Sequence, residues 1–221
     1  MPRDSERSLD KVYETLRAFY AERYTLLQEM ETALDFSQID ATLVHDRHLD
    51  AKVSRPIMII GEAPGANEVE QQTPFVGMAG KNLSSLIEGA GFSREKDFLI
   101  TNAFPFRTFQ EGANGIKNRT PSTAELKAGS ILLKMELEIV QPRMILVLGG
   151  SAKKAVLRLE DRALTSVLKM MENHTFEKVG TDMGFSTILG LSFHPSPLVF
   201  NMRQKRDNLI KFFHELKNHQ L

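Results

Sequence analysis

Four short apolar runs, separated by helical patterns, constrain the fold of this chain more than any other feature. Each run is rich in the aliphatic residues of a buried strand, and the four are Ile57–Ile60, Phe98–Thr101, Met144–Leu148 and Thr187–Phe193. Strands that alternate with helices are joined by crossovers and therefore run parallel. The sequence predicts an α/β fold, a three-layer α/β/α sandwich around a central four-stranded parallel sheet.

Helical periodicity fills the segments between and around these strands. An amphipathic pattern over residues 8–34 predicts a long N-terminal helix, and the other predicted helices are roughly Lys81–Ala90, Ser122–Val140, Ser151–Arg158 and Met202–Asn218. Residues 36–55 are polar and irregular. Because no repeat or second compositional unit interrupts the chain, we expect a single domain over residues 1–221. Residues 1–50 would form an N-terminal helical extension and residues 56–221 the core.

Composition excludes several classes of function. The 28 basic and 28 acidic residues cancel, so net charge argues neither for nor against a nucleic-acid or membrane partner. The absence of cysteine excludes disulfides, thiolate metal sites and a cysteine nucleophile. No apolar run approaches the ~20 residues of a membrane span, and the charged N-terminus lacks the apolar segment of a signal peptide. We therefore expect an intracellular, cytoplasmic protein.

Polar or turn-forming residues follow each of the four apolar runs. In chain order they are Gly61–Gly65, Thr101-Asn102, Gly149–Ser151 and His194–Pro197. In parallel α/β sheets, ligands bind at the carboxyl ends of the strands, where these four segments would meet. The sequence therefore predicts one site at this edge of the sheet.

The first two candidate features are the Gly61–Gly65 loop and Phe75. The glycines allow close backbone approach, so the loop can offer N–H groups to an anion or a carbonyl oxygen. It matches neither a P-loop nor a G-x-G-x-x-G turn, and a plain strand-to-helix turn with an incidental acid, Glu62, explains it too. Phe75, between Pro74 and Gly77, is either a stacking platform for a planar ring or a plug at the edge of the core.

Asn102 and the His194–Leu198 segment supply polar groups to the same edge. The Asn102 amide can pair with a ring that presents a carbonyl next to an N–H, although a turn-forming asparagine is the simpler alternative. His194 can donate a hydrogen bond to a carbonyl oxygen on which negative charge develops, although a lone histidine is more often structural. Ser196 can contact phosphate, and Leu198 can insert as an apolar wedge.

Two short basic stretches lie near the predicted edge. They contain Arg203, Lys205 and Arg206 in one stretch and Arg107, Lys117 and Arg119 in the other. Their charge suits a phosphate backbone, and a solvated surface explains each stretch equally well.

Together these segments resemble the uracil-DNA glycosylase superfamily, and its family 4 enzymes most of all. The resemblance rests on GEAPGANE, PFVGMAGKNL, TNAFPFR and FHPSPL in this order, with PSTAELKAGSILLKMELEIVQPRMILVLGGSA before the last of them. It runs from about Pro56 to the end of the sequence. The resemblance implies a monofunctional DNA glycosylase of base excision repair, with uracil-containing DNA as its partner and a monomer as its state.

The resemblance also assigns roles to matching positions. Glu62 and His194 would be catalytic, with His194 bonded to the 2-carbonyl oxygen of uracil. The uracil would be bound by the side chains or backbone of Gly61, Ala63, Phe75 and Asn102. DNA would be contacted by Pro64, Gly65, Pro195, Ser196, Leu198 and Arg203.

This chain departs from family 4 in lacking the cysteines that bind a [4Fe–4S] cluster there. Phe106 stands where the family has one of these cysteines, and Gly129 matches a second position. We therefore expect neither cofactor nor metal, and a branch in which apolar packing and the N-terminal helix replace the cluster.

The implied reaction is hydrolysis of the N-glycosidic bond after the base leaves the stack. Glu62 would either position water or stabilise the cation-like sugar. Two alternatives stay open: a glycosylase for another deaminated base, hypoxanthine or xanthine, and a non-catalytic module that binds damaged DNA.

Overall fold

The computed structural model describes residues 8–30, 34–46, 53–113 and 115–219. The helices are α1 Leu9–Met30, α2 Ala66–Gln71, α3 Met78–Gly89, α4 Arg94–Asp97, α5 Thr123–Val140, α6 Gly150–Val156, α7 Arg162–Met170, α8 Pro197–Asn201 and α9 Arg203–Glu215. The strands are β1 Ile39–Asp40, β2 Ile57–Gly61, β3 Phe98–Asn102, β4 Arg107–Gly112, β5 Gly115–Asn118, β6 Met144–Leu148, β7 Thr175–Gly180 and β8 Ser186–Ser192.

The four predicted strands form a parallel array in the order β3-β2-β6-β8, which confirms the predicted fold class. Their residues are buried along almost the whole length because both faces of the sheet are covered. Alternate side chains of β2, β6 and β8 enter the two apolar layers, and Phe98 and Ile100 of β3 enter one of them. Helices α5, α6 and α7 cover one face, and α3 and α9 cover the other.

The prediction of a four-stranded, purely parallel sheet was wrong in one respect. A fifth strand, β7, pairs antiparallel with β8 at the edge of the sheet. Most of its residues are exposed or half-buried, so its sequence, TFEKVG, lacks the continuous apolar run by which the other four were found.

A small three-stranded sheet, in the order β1-β4-β5, lies beside the main sheet. It contains the β4–β5 hairpin, in which Phe109 pairs with Asn118 and Gly112 with Gly115. Neither the hairpin nor β1 was predicted, because β5 is exposed along its length and β1 has two residues.

Helix α1 packs on α5 through a third apolar cluster that also includes Leu99 of the edge strand β3. The predicted helix over residues 8–34 is observed to Met30, and residues 31–33 lie outside the described part of the chain. So do residues 1–7 and 47–50 of the predicted N-terminal extension. Among the described residues, no helix is long and apolar enough to cross a membrane.

Candidate active site

Gly61, at the end of β2, brings two of the predicted site residues together. It pairs with Asn102 at the end of β3. A Cβ at Gly61 would lie 2.5 Å from two atoms of the Phe75 ring and 2.7 Å from Oδ1 of Asn102. Real Cβ atoms do not approach so closely, so only glycine lets the ring and the amide lie against this strand.

Hydrogen bonds and a close contact with α3 fix the position of Phe75. Its backbone has a φ of 54°, which is unusual for a residue with a side chain. Nη1 of Arg94 donates a hydrogen bond to the Phe75 carbonyl at 2.9 Å, and Nη2 donates to that of Pro74. A Cβ on Gly80 would lie 1.7 Å from the Phe75 oxygen, so α3 fits under this turn only with glycine there. The ring, 6% exposed, both packs in the core and lines the cavity described below.

Glu68 of α2 clamps the loop that carries Phe75. Its Oε1 accepts hydrogen bonds from the backbone N–H groups of Val76 and Gly77, at 3.0 and 2.8 Å. Its Oε2 accepts from the N–H of Gly65 at 3.1 Å. One carboxylate therefore joins the loop after β2 to the loop before α3. Glu68 was not predicted as a site residue, because no local sequence pattern indicates its hydrogen bonds to residues eight and nine positions later.

His194 completes a group of three with Phe75 and Asn102. Its ring centroid lies 5.5 Å from that of Phe75, with a 32° angle between the planes. Burial lowers the pKa of His194, while the negative charges of Glu62 and Glu68 oppose the shift. The imidazole is therefore neutral near pH 7 and carries one N–H donor.

The backbone around His194 is fixed by close contacts. Nδ2 of Asn82 on α3 donates a hydrogen bond to the Pro195 carbonyl at 2.9 Å. Gly149, with a φ of 92°, lies so close that a Cβ there would be 2.8 Å from the Cβ of His194. The predicted edge segment Gly149–Ser151 therefore packs against the segment His194–Pro197.

Glu62 is turned toward α6. Its Oε2 accepts a hydrogen bond from Oγ of Ser151 at 2.6 Å. Ser151 belonged to the predicted edge segment Gly149–Ser151 but had no assigned role. The negative charge of Glu62 opposes the lowering of the His194 pKa, and Glu62 is not among the residues that line the cavity.

A cavity of about 340 Å³ opens between these groups. Its size falls within the range of roughly 300–1,000 Å³ that is usual for small-molecule sites. The lining residues are Ala63, Gly65, Ala66, Asn67, Glu68, Phe75, Gly77, Met78, Ala79, Asn102, Asn118, His194 and Pro197. The predicted Ala63, Gly65, Phe75, Asn102 and His194 therefore share one cavity.

Asn118 reaches the cavity from the β4–β5 hairpin and was not predicted. Nε of Arg107 donates a hydrogen bond to its Oδ1 at 2.7 Å, which leaves the Nδ2 donor free of this contact. A Cβ on Gly65 would lie 2.8 Å from that Nδ2. In the sequence, this segment is marked only by its basic residues Lys117 and Arg119. Arg119 forms an ion pair with Glu125.

Of the predicted DNA-contacting residues, Gly65 lines the cavity, and the others lie in the loops and helices that follow β2 and β8. Ser196 caps α8, since its Oγ accepts a hydrogen bond from the N–H of Val199. Leu198, in the first turn of α8, is 74% exposed. Arg203 is the first residue of α9, and its side chain is 90% exposed. Pro64 belongs to the loop after β2, and Pro195 to the loop before α8.

A cysteine-ligated iron–sulfur cluster does not fit the residues present. The chain has no cysteine. Phe106 is fully buried, with its ring 5.1 Å from that of Tyr24. A Cβ on Gly129 would lie 2.2 Å from the Ala103 carbonyl oxygen, so any larger residue would force the backbones apart. Among the described residues, no group of three or more His, Asp and Glu side chains is placed to hold a metal ion.

Comparison with known proteins gives concordant results. The model of the uracil DNA glycosylase superfamily matches residues 50–217. Type-4 uracil-DNA glycosylases of Saccharolobus solfataricus and Pyrobaculum aerophilum are both 33% identical to this chain. The matches cover 66% and 65% of this chain and 62% and 67% of those proteins. This chain thus spans about three fifths of the length of the first relative.

A further relative, the Type-4 uracil-DNA glycosylase of Archaeoglobus fulgidus, is 29% identical over 72% of this chain and 76% of its own length. Among solved structures, the crystal structure of wild-type Pedobacter heparinus SMUG2 covers 90% of this chain and 97% of that one. Its TM-score is 0.51 and the identity is 13%, so this likeness concerns the fold alone.

Proposed function

This chain belongs to the uracil-DNA glycosylase superfamily, and we propose that it hydrolyses the N-glycosidic bond of uracil in DNA. One observation carries the proposal: the Phe75 ring, the Asn102 amide and the His194 imidazole converge on one cavity at the carboxyl edge of the sheet. The substrate is uracil-containing DNA. One copy of the chain suffices, because a single chain supplies all three side chains.

In this proposal the cavity receives a uracil that has left the base stack. Phe75 supplies an aromatic face for the planar ring. The Asn102 amide has an acceptor and a donor, which match the N3–H and 4-carbonyl of uracil. Cytosine presents the opposite pattern at these positions, and one mismatched buried polar pair costs about 1–3 kcal/mol. Gly61 lets the ring and the amide lie side by side, and Ala63 lines the cavity beside them.

The leaving uracil carries negative charge on its carbonyl oxygens. His194, neutral because burial lowers its pKa, donates its N–H to the 2-carbonyl oxygen. Loss of one such donor typically costs about 10²–10³ in rate. His194 lines the cavity, and in this mechanism its donor nitrogen faces the bound uracil.

Glu62 acts on the sugar side of the bond. Because the Ser151 hydroxyl donates a hydrogen bond to its carboxylate, the negative charge stays in place as the sugar becomes cation-like. We propose that Glu62 stabilises this cation electrostatically, and that water then completes the hydrolysis. No metal or organic cofactor takes part in the proposed reaction.

The duplex contacts the surface around the cavity mouth. Leu198 inserts into the space that the base leaves, a use of apolar side chains known in DNA-bending proteins. Arg203 and the backbone near Ser196 contact phosphates, and the turns at Pro64-Gly65 and Pro195 approach the strand that carries uracil.

A strand-nicking assay tests the proposal. Labelled oligonucleotides with one uracil, in U·G, U·A and single-stranded form, are incubated with the protein and then cut at abasic sites with alkali. We expect product with uracil, a loss of about 10²-fold in His194→Ala, and wild-type rates in His214→Ala, a control at an exposed histidine of α9.

The same assay includes hypoxanthine and xanthine. The names of the relatives do not favour a glycosylase for those bases or a non-catalytic module. Product with them but not with uracil would contradict the proposed substrate. Binding without product on any substrate would contradict catalysis.

A further inference from the structure

Three of the eight large apolar residues that are exposed in the described part of the chain belong to segments that line the cavity. Met78 (59%) lines it directly. Leu198 (74%) follows the lining residue Pro197, and Ile116 (58%) lies two residues before the lining residue Asn118. Single exposed apolar residues are common on protein surfaces, whereas a group at one site indicates an interaction surface. Leu198 already has a proposed role in DNA binding, whereas Ile116 has none.

Ile116 lies on the face of the β4–β5 hairpin that is turned toward the cavity. Residues two apart in a strand share a face, and Asn118, two residues later in β5, lines the cavity. Ile116 is therefore presented on the same side, roughly 7 Å from Asn118 toward the hairpin turn. The bond from Arg107 to Asn118 fixes the orientation of the strand.

The base of the hairpin is anchored. Arg119 and Thr108 exchange hydrogen bonds: the Arg119 N–H donates to the Thr108 carbonyl at 3.0 Å, and Oγ of Thr108 donates to the Arg119 carbonyl at 2.6 Å. Nη1 and Nη2 of Arg119 both donate hydrogen bonds to the Glu125 carboxylate at the start of α5. Ile116 therefore projects from a supported hairpin, not from an unsupported loop.

The charges on this face indicate what it contacts. Arg107 and Glu111 lie on the same face as Ile116, and Glu111 is its direct cross-strand partner. One basic and one acidic residue leave this face of the hairpin without net charge, so attraction to phosphates is not its main contribution to DNA binding. An exposed isoleucine opposite Glu111 suits the apolar faces of stacked bases.

We propose that Ile116 packs against the base stack of duplex DNA next to the extruded uridine, as a contact separate from that of Leu198. The inference rests on the proposed function. Extrusion of a base unstacks its neighbours, and apolar side chains at the opened step offset part of that cost. Two such contacts, one from the hairpin and one from α8, would hold the opened duplex at two points.

This role makes the effect of Ile116 depend on the form of the DNA. In a duplex, Ile116→Ala removes apolar contact with the stack, and we expect kcat/KM to fall about tenfold. In single-stranded DNA no paired stack has to be held open, so the expected change is below about twofold. Ile116→Leu keeps the apolar contact and should restore most of the duplex rate.

The test compares wild type, Ile116→Ala and Ile116→Leu, with Met170→Ala as a control. Met170 is 82% exposed at the end of α7. Rates are measured on U·G duplex and on single strands. Equal loss on both forms, or no loss on the duplex, would overturn the proposal, as would an alanine-like rate for Ile116→Leu.

A second measurement separates this proposal from the proposed function. A duplex with 2-aminopurine beside 2′-fluoro-deoxyuridine, which is not cleaved, reports unstacking by its fluorescence. We expect a rise with wild type and a smaller rise with Ile116→Ala. If wild type cleaves no substrate but this difference appears, the proposed catalysis fails and the proposed contact of Ile116 with the base stack stands. If neither cleavage nor a fluorescence rise occurs with wild type, both proposals fail.

Discussion

Replacing Glu68 with alanine removes the carboxylate that joins the two loops of the candidate site. Three backbone N–H groups lose their acceptor: those of Gly65, Val76 and Gly77. All three bonds are partly buried, so water can replace the lost acceptor only in part. The loop before α3 also carries Phe75, and its remaining support comes from Arg94.

The expected magnitude follows from these bonds. A hydrogen bond to a charged group contributes about 1.5–3 kcal/mol, and less where water has access. We expect Glu68→Ala to lower the free energy of unfolding by about 3 kcal/mol. Glu68→Gln keeps an oxygen for Val76 and Gly77 but turns an NH₂ group toward the Gly65 N–H, so we expect a loss of about 1 kcal/mol.

Activity should fall in the same order as stability. When the clamp is lost, Phe75 no longer has a fixed position against Gly61, and kcat/KM for uracil excision decreases more in Glu68→Ala than in Glu68→Gln. Both variants also lose a negative charge that raises the pKa of His194, so that pKa should move further down. An NMR titration of the imidazole measures this second effect independently of turnover.

Urea denaturation and single-turnover excision check the prediction, with Glu70→Ala as the control. Glu70 lies on the same short helix and is exposed. The reasoning is refuted if the unfolding free energies of Glu68→Ala and Glu70→Ala agree within about 0.5 kcal/mol, the usual range for surface substitutions.

Two further predictions concern the glycines and the half-buried histidines His174 and His194. Gly61→Ala should abolish measurable excision, because its Cβ would lie 2.5 Å from the Phe75 ring. Gly89→Ala should not, because a Cβ there meets nothing within 4 Å; single-turnover rates of both folded variants check this pair. Burial lowers the pKa of His174 and His194 below 6.5, so the unfolded chain binds protons that the native chain does not. The free energy of unfolding should therefore fall as the pH drops below about 6.5. Urea titrations measure this slope, and His194→Gln should flatten it.

The parts of the fold that could be predicted are those in which burial dictates the residue types. The strands β2, β3, β6 and β8 are covered on both faces, so their sequences are continuous apolar runs. The hairpin β4–β5 and the edge strand β7 are largely exposed, and their residues carry neither an apolar run nor a clean alternation. Helix α2 has six residues, too few for helical periodicity to be recognised.

Some site residues could be predicted from the positions of the buried strands, and others could not. Asn102 and His194 follow directly on buried strands, so the topology alone places them at one edge of the sheet. Glu68 and Asn118 reach the cavity through contacts between segments that are distant in the chain. No local pattern reports those contacts, and the catalytic and DNA-contacting roles assigned from the sequence stay predictions.

The packing of α1 gives a physical reason why this chain can hold its site together without cysteines. Glu136 of α5 accepts hydrogen bonds from the Tyr20 hydroxyl of α1 and, at 2.9 Å, from the Thr101 hydroxyl of β3. The buried guanidinium of Arg23 lies 4.8 Å from the Tyr20 ring centroid and 5.5 Å from that of Phe106. Burial raises the pKa of Glu136, while the charge of Arg23 opposes that shift.

These contacts tie α1, α5 and β3 to one another at one point. Thr101 is the residue before Asn102, so the anchored end of β3 is also the end that carries the amide in the cavity. Buried polar groups tolerate few alternative arrangements, because each displaced partner leaves an unsatisfied group. We expect the N-terminal helix to act on the site through the position of this strand end, although α1 itself contributes no residue to the cavity lining.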